Sequence, residues 1–267
     1  MRLSAFRSEV VYLQVMNCRE SIIGGKVCRF FESGQPSVIL LQPSARHETA
    51  TLLGEAEQIA ALSGTPFLLV AFDVDDWMVD LMPWPDKNIS RKEQAGKRGT
   101  VTLDYVLLTL LPEIRAQYGP VPVIFGGYSL GGLFALWASS QTDTFTAVAA
   151  ASPSVWIEGW IPYADAHPVM ASAVYLSLGK EEEHVKNRAI KKVGNCLRKE
   201  FELLGNQLGS ECCTLVWEEG NHFTDNEGRL ARAFAGILLY LREKCLYLQT
   251  TSEKRKNIIH NNESLHY

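Results

Sequence analysis

The chain contains no apolar run of the roughly 18 residues that a membrane-spanning helix needs. Its opening, Met1-Arg2-Leu3-Ser4-Ala5-Phe6-Arg7-Ser8-Glu9, has no apolar core of the kind that marks a secretory signal, so a cytoplasmic location is expected. There is no excess of positive charge either. Lys and Arg number 26 against 30 Asp and Glu, for a net charge of −4. That balance provides no general basic field for nucleic acid or anionic lipid, and neither partner is expected. Nor is there any C-x-x-C spacing. The six cysteines, Cys18, Cys28, Cys196, Cys212, Cys213 and Cys245, are scattered. A chain this long needs no disulfide staples, so all six read as reduced thiols, mostly buried. No internal repeat is present.

What is present is ordinary globular composition at a length that suits one large domain. Of 267 residues, 46% are hydrophobic and 21% charged. Strand-like runs fall at Glu9–Val15, Lys26–Phe31, Ser37–Gln42, Phe67–Phe72, Val121–Phe125, Ala147–Ala151, Val174–Leu178 and Thr214–Trp217. The middle runs are almost continuously apolar, as parallel strands covered on both faces are. Helix-compatible segments separate them: Thr49–Leu62, Gly99–Gln117, Leu130–Ser139, Glu183–Leu204 and Arg229–Leu246. The first two strands have no helix between them and form a hairpin turned at Gly24-Gly25. The expectation is an α/β fold with a mostly parallel, eight-stranded sheet and helices on both faces, spanning 1–248. The polar stretch 249–267 is expected to fray.

Gly127-Tyr128-Ser129-Leu130-Gly131 fits the G-x-S-x-G nucleophile elbow. It follows the apolar run Val121–Phe125 and precedes the helix-compatible run from Gly132, which is the strand–turn–helix context the motif requires. The flanking glycines allow a sharp bend and close helix–strand packing. The Leu130 N–H, at the helix start, faces the place where an oxyanion would form. A glycine-rich turn of this kind can also be purely structural or can cradle a phosphate.

A serine nucleophile needs a base, and the base needs an orienting acid, met in the order Ser, acid, His behind such an elbow. His222 lies in the loop after the last strand, at the sheet edge that also carries Ser129. His47 precedes the elbow, His260 and His266 lie in the tail, and His167 and His184 fall before the last strand. The acid is expected in the loop after Val174–Leu178, where Glu181, Glu182 and Glu183 compete. Glu182 is preferred and Glu181 is second; a Ser–His dyad is the alternative. The second oxyanion donor is expected in the loop after the third strand. Pro43 has no N–H, so Ser44 is the donor expected, with Ala45 behind it.

These residues together resemble the alpha/beta-hydrolase superfamily, and within it the esterase D and enterochelin-esterase-like branch, over about residues 9–246. The marks are Gly126-Gly127-Tyr128-Ser129-Leu130-Gly131-Gly132, the run Tyr175-Leu176-Ser177-Leu178-Gly179-Lys180-Glu181-Glu182, and Glu219-Gly220-Asn221-His222-Phe223. Phe67–Phe72 with Asp76-Trp77 and Leu81-Met82-Pro83-Trp84-Pro85 is similar to a group of small bacterial members, in which the acid resembles Glu182. The resemblance implies ester hydrolysis through an acyl-serine, with no metal and no cofactor. Its members act on siderophore esters, S-formylglutathione and acyl carbohydrates, or transfer acyl groups to trehalose. Two departures stand out. Gln42-Pro43-Ser44 replaces the usual oxyanion loop, and a polar, basic stretch follows Trp84.

Around the elbow, Trp77, Trp84, Tyr128 and Trp156 are candidate substrate contacts or plain packing aromatics. The segment 152–172 is either a small cap over Ser129 or a loop whose aromatics tuck into the core. Arg91, Lys92, Lys97 and Arg98 either favour an anionic substrate or form a solvated loop. The reading is a serine carboxylesterase acting on a small-molecule ester, with a homodimer left open. The alternatives are a thioesterase or acyltransferase using the same residues, or a catalytically silent hydrolase fold that only binds.

Overall fold

The computed structural model describes residues 16–45 and 49–263. Eight strands form one sheet in the order β1-β2-β4-β3-β5-β6-β7-β8. They are β1 (Asn17–Ile23), β2 (Lys26–Ser33), β3 (Ile39–Ser44), β4 (Phe67–Asp73), β5 (Val123–Tyr128), β6 (Ala147–Ala151), β7 (Ala173–Gly179) and β8 (Cys213–Glu218). β1 and β2 pair antiparallel, β2 joins β4 antiparallel, and every other ladder is parallel. The central strands β3, β4, β6 and β7 are buried along their whole length, which is why they read as unbroken apolar runs.

The helices are α1 (Thr49–Ser63), α2 (Trp77–Asp80), α3 (Gly99–Tyr105), α4 (Leu111–Tyr118), α5 (Leu130–Ser139), α6 (Trp160–Ala166), α7 (Val193–Leu208) and α8 (Asn226–Glu263). On one face of the sheet α1 and α8 bury Leu52, Ile59, Leu230, Phe234 and Leu238 against Leu40, Leu69 and Ile124. On the other face Leu103, Leu110, Leu133, Leu136 and Leu197 cover Leu41, Val70, Phe125 and Leu176.

The hairpin turns at Gly24-Gly25, with φ of 56° and 81°, as a tight two-residue turn with positive φ at both centres requires. Its first strand differs from the expectation. Glu9–Val15 lies outside the described residues, and the strand that pairs with β2 is Asn17–Ile23. It reads Asn-Cys-Arg-Glu-Ser-Ile-Ile and lies largely exposed at the sheet edge, so it carries no apolar alternation. The helix expected over Gly99–Gln117 is interrupted by a π-turn at Val106–Leu110. Pro112, in the first turn of α4, has no N–H to offer the carbonyl four residues back, and widening the turn absorbs the mismatch. The helix expected from Glu183 begins only at Val193, preceded by short 3₁₀ turns at Glu182–His184 and Ile190–Lys192. The last helix continues to Glu263, through residues expected to fray; Glu253-Lys254-Arg255-Lys256 are straight-chain residues of good helix propensity. Cys18, Cys28, Cys196, Cys212 and Cys213 are free thiols; Cys18 is exposed, Cys28, Cys212 and Cys213 are buried, and Cys196 is intermediate.

Candidate active site

The turn from β5 into α5 sets Ser129 in an unusual conformation, with φ 55° and ψ −116°. Backbone bonds hold it there: its N–H donates to the Ala151 carbonyl (3.0 Å), and its own carbonyl accepts from the Ser154 N–H (3.1 Å). A Cβ built on Gly127 would lie 2.4 Å from the Gly131 backbone carbon, so only glycine lets the strand and helix approach this closely. Ser129, Ser152 and Asp225 are the non-glycine residues with positive φ among the described residues, and all three belong to this region. Strain of that kind persists where surrounding contacts over-determine it.

Ser129 Oγ lies 3.0 Å from His222 Nε2, and His222 Nδ1 lies 2.7 Å from Glu182 Oε2. With Nδ1–H aimed at the carboxylate, Nε2 is the acceptor for the serine proton. Of the three competing glutamates, Glu182 is the one brought to His222, and it is 3% exposed. Glu181 is exposed, and Glu183 turns to the Arg198 guanidinium with two contacts of 2.9 Å. The early break in the helix lets Glu182 point inward.

The other oxygen of Glu182, Oε1, accepts from Ser152 Oγ (2.7 Å), the Gly179 N–H (2.8 Å) and Arg229 Nη1 (2.7 Å). Burial by itself would raise the Glu182 carboxyl. The bond to His222, the charge there, and the Ser152 and Gly179 donors outweigh it and hold the carboxyl below its ordinary value. Ser152, Ser154 and Arg229 were not singled out from the sequence. Ser154 Oγ lies 3.3 Å from Ser129 Oγ. Ser152 and Ser154 directly follow β6, at the sheet edge that carries Ser129. Arg229 falls on the same helical stripe as Ala233 and Ile237, and a charge among apolar residues at that spacing is a readable signal.

Tyr128 faces the site: its hydroxyl donates to the His222 carbonyl (2.8 Å) and the two rings lie 5.2 Å apart. Burial pushes its phenol up to about 12, so it remains a neutral donor. Leu130 begins α5, and its N–H is one of the first-turn amides that lack an intrahelical partner.

Ser44 requires a correction. β3 extends through it, and its carbonyl accepts from the Val74 N–H at 3.0 Å. In a parallel ladder the N–H and C=O of one residue face the same neighbour, so the Ser44 amide faces β4 and not Ser129. Its hydroxyl donates to Asp73 Oδ1 (3.1 Å), beside the Arg29 guanidinium. β3 pairs with β5 through Leu41↔Phe125. Ala45 follows β3 at the sheet edge that also carries Ser129.

The candidate substrate aromatics separate. Trp77 and Tyr128 line a cleft of about 70 Å³ beside the elbow, with Gln42, Pro43 and Leu230. The Trp84 indole donates to the Glu158 carbonyl (2.9 Å) and its ring stacks on Trp160 (6.1 Å), so it is a packing aromatic. Trp156 is half-buried against the core. In the segment 152–172 Trp160 tucks inward and donates to Glu200 Oε2 of α7 (2.8 Å), while Ser154 reaches Ser129. Three of the four residues of the basic stretch pair with carboxylates: Lys92 with Asp76 (2.5 Å), Arg98 with Asp80 (2.9 Å) and Lys97 with Glu93 (4.0 Å). These pairs leave it as a salt-bridged loop. Among the described residues no cluster of His, Cys, Asp and Glu is arranged to hold a metal, and no helix is long and apolar enough to cross a membrane.

No protein-family model matches the chain, and no curated protein matches its sequence. Solved structures do. The siderophore hydrolase EstB from Aspergillus nidulans superposes with a TM-score of 0.65 at 18% identity, covering 86% of this chain and 97% of that one. An IroE-like serine hydrolase from Shewanella oneidensis gives 0.61 at 11% identity, covering 84% and 80%. The enterobactin esterase FES from Shigella flexneri gives 0.60 at 17% identity, covering 85% of this chain and 60% of that one. At such identities the likeness speaks to architecture, and together with the sheet order and the elbow it establishes that the chain has the alpha/beta-hydrolase fold.

Proposed function

We propose that the chain is a serine hydrolase that cleaves a carboxylic ester of a small molecule through an acyl-serine intermediate. The observation that carries this reading is the continuous relay Ser129 Oγ–His222 Nε2 (3.0 Å) and His222 Nδ1–Glu182 Oε2 (2.7 Å). His222 takes the Ser129 proton as Oγ attacks the ester carbonyl. Glu182 holds the imidazole in the accepting tautomer and stabilises the imidazolium. The Leu130 N–H holds the oxyanion. The carbon–oxygen bond to the alcohol then breaks, and the imidazolium proton passes to the departing alkoxide. A water gives its proton to His222 and its oxygen to the acyl carbon, and Ser129 leaves with the proton returned. No step requires a metal or an organic cofactor.

The likeness to two siderophore hydrolases and an enterobactin esterase supports a small-molecule ester as substrate. The cleft that Trp77 and Tyr128 line also carries Gln42, Thr51, Glu55, Asn226 and Glu227, which supports an ester with polar as well as apolar groups. Phe223, 85% exposed and 5.4 Å from the His222 ring, offers an apolar surface to the substrate beside that imidazole. Turnover of p-nitrophenyl esters of increasing acyl length tests the reading. Hydrolysis is expected in the wild type and a loss of at least about 10³-fold in Ser129→Ala and His222→Ala. A folded wild-type protein that turns over none of these esters contradicts it. Phe223→Ser is expected to raise KM for the longer esters while changing stability by less than about 0.5 kcal/mol.

A further inference from the structure

Arg229 is fully buried, and the relay does not use it directly. It comes from the first turn of α8, and its guanidinium divides its donors between two parts of the site. Nη1 meets Glu182 Oε1 (2.7 Å), Ser152 Oγ (3.2 Å) and the Tyr128 hydroxyl (3.2 Å). Nη2 donates to the carbonyls of Glu219 (2.7 Å) and Asn221 (2.9 Å), in the loop that ends at His222. Space for it is provided at Gly179, where a Cβ would lie 2.6 Å from Nη2 and 2.8 Å from Nη1.

Resting on the serine-hydrolase reading, we infer that Arg229 is the positioning residue of this site, whose single guanidinium fastens the acid Glu182 and the backbone carrying His222 to one another. Two consequences follow from the chemistry. The planar fork fixes two loops at once, which a lysine ammonium on a flexible stem does not do. Its positive charge also sits at the far oxygen of Glu182, so the carboxylate is shared between a permanent cation and the imidazole. Other charges nearby are engaged or turned outward. Lys180 pairs with Glu219, Glu183 with Arg198 and Asp225 with Arg232, while Glu181 is exposed. Tyr128 is a neutral phenol.

The test measures the rate of Ser129 phosphonylation by a fluorophosphonate, and kcat/KM against pH, in the wild type, Arg229→Met and Arg229→Lys. Arg229→Met is expected to lose about 10²-fold in both rates, the scale of a misplacement of about an ångström. Its acid limb moves to higher pH, because Glu182 then binds the imidazolium without competition. Arg229→Lys restores the position of the acid limb but not the full rate, since charge returns without the fork. If Arg229→Met does not fold, Arg229→Lys decides alone: a reduced rate with the acid limb in place supports the inference, and a wild-type rate overturns it. Wild-type rates and an unmoved acid limb in a folded Arg229→Met also overturn it. Absence of labelling in the wild type instead strikes the serine-hydrolase reading itself, so the two failures are told apart.

Discussion

The two oxygens of Glu182 face different partners, and that asymmetry predicts how a conservative change would act. Oε1 meets only donors, from Ser152, Gly179 and Arg229. In Glu182→Gln the amide oxygen must stay there, which forces the NH₂ towards His222. The imidazole then carries its proton on Nε2 and cannot accept one from Ser129. A drop in kcat of about 10³ to 10⁴ with little change in KM is expected from steady-state kinetics. The Glu182 carboxyl is depressed in the folded protein. The stability it contributes is present above the ordinary carboxylate value and is lost as pH falls through the folded value. Ser129, His222 and Glu182 were legible because spacing after apolar runs placed them at one sheet edge. Ser152 carried no sequence signal, since its role depends on a contact with Glu182, and Arg229 showed only as a charge on an apolar helical stripe, with its partners unreadable.

Among the elements, α7 and α6 meet at a buried carboxyl. Glu200 is 1% exposed, and burial raises it to about 7, partly offset by the bond from the Trp160 indole. Its folded value lies above its unfolded one, so stability is retained at low pH and declines as pH rises from the ordinary glutamate value through 7. Glu200→Gln keeps an acceptor for the indole and removes that loss. It is expected to flatten the dependence of Tm on pH and to gain up to about 3 kcal/mol above pH 7. At the other end of the sheet, Asp73 of β4 ties Arg29 of β2 (2.5 Å) to Ser44 of β3 (3.1 Å). Asp73→Ala leaves the buried Arg29 with the solvent-exposed Glu20 carboxylate (3.2 Å) as its remaining counter-charge and should cost up to about 3 kcal/mol in denaturant unfolding. The core strands and most helices could be read from apolar periodicity. The edge strand β1 and the π-turn could not, since an exposed polar edge and a proline mismatch leave no periodic trace.

At the level of the whole molecule, the parallel sheet brings the ends of β5, β6, β7 and β8 side by side, and every group of the relay departs from one of those ends. The strand order puts β4 between β2 and β3, a crossover set by how the faces are covered rather than by local sequence. α8 closes one face tightly: a Cβ on Gly126 would lie 2.5 Å from the Phe234 ring. Gly126→Ala is therefore expected to lower Tm clearly, by several degrees or more in a thermal melt, even though it touches no group of the relay. The central claim is that this assembled edge makes Ser129 a nucleophile. The most direct measurement is intact-protein and peptide mass spectrometry after treatment with a fluorophosphonate. The account predicts one adduct per chain, carried on Ser129, absent in Ser129→Ala and strongly slowed in His222→Ala. A folded protein that takes up no adduct, or takes it up at another residue while Ser129 stays unmodified, would contradict it.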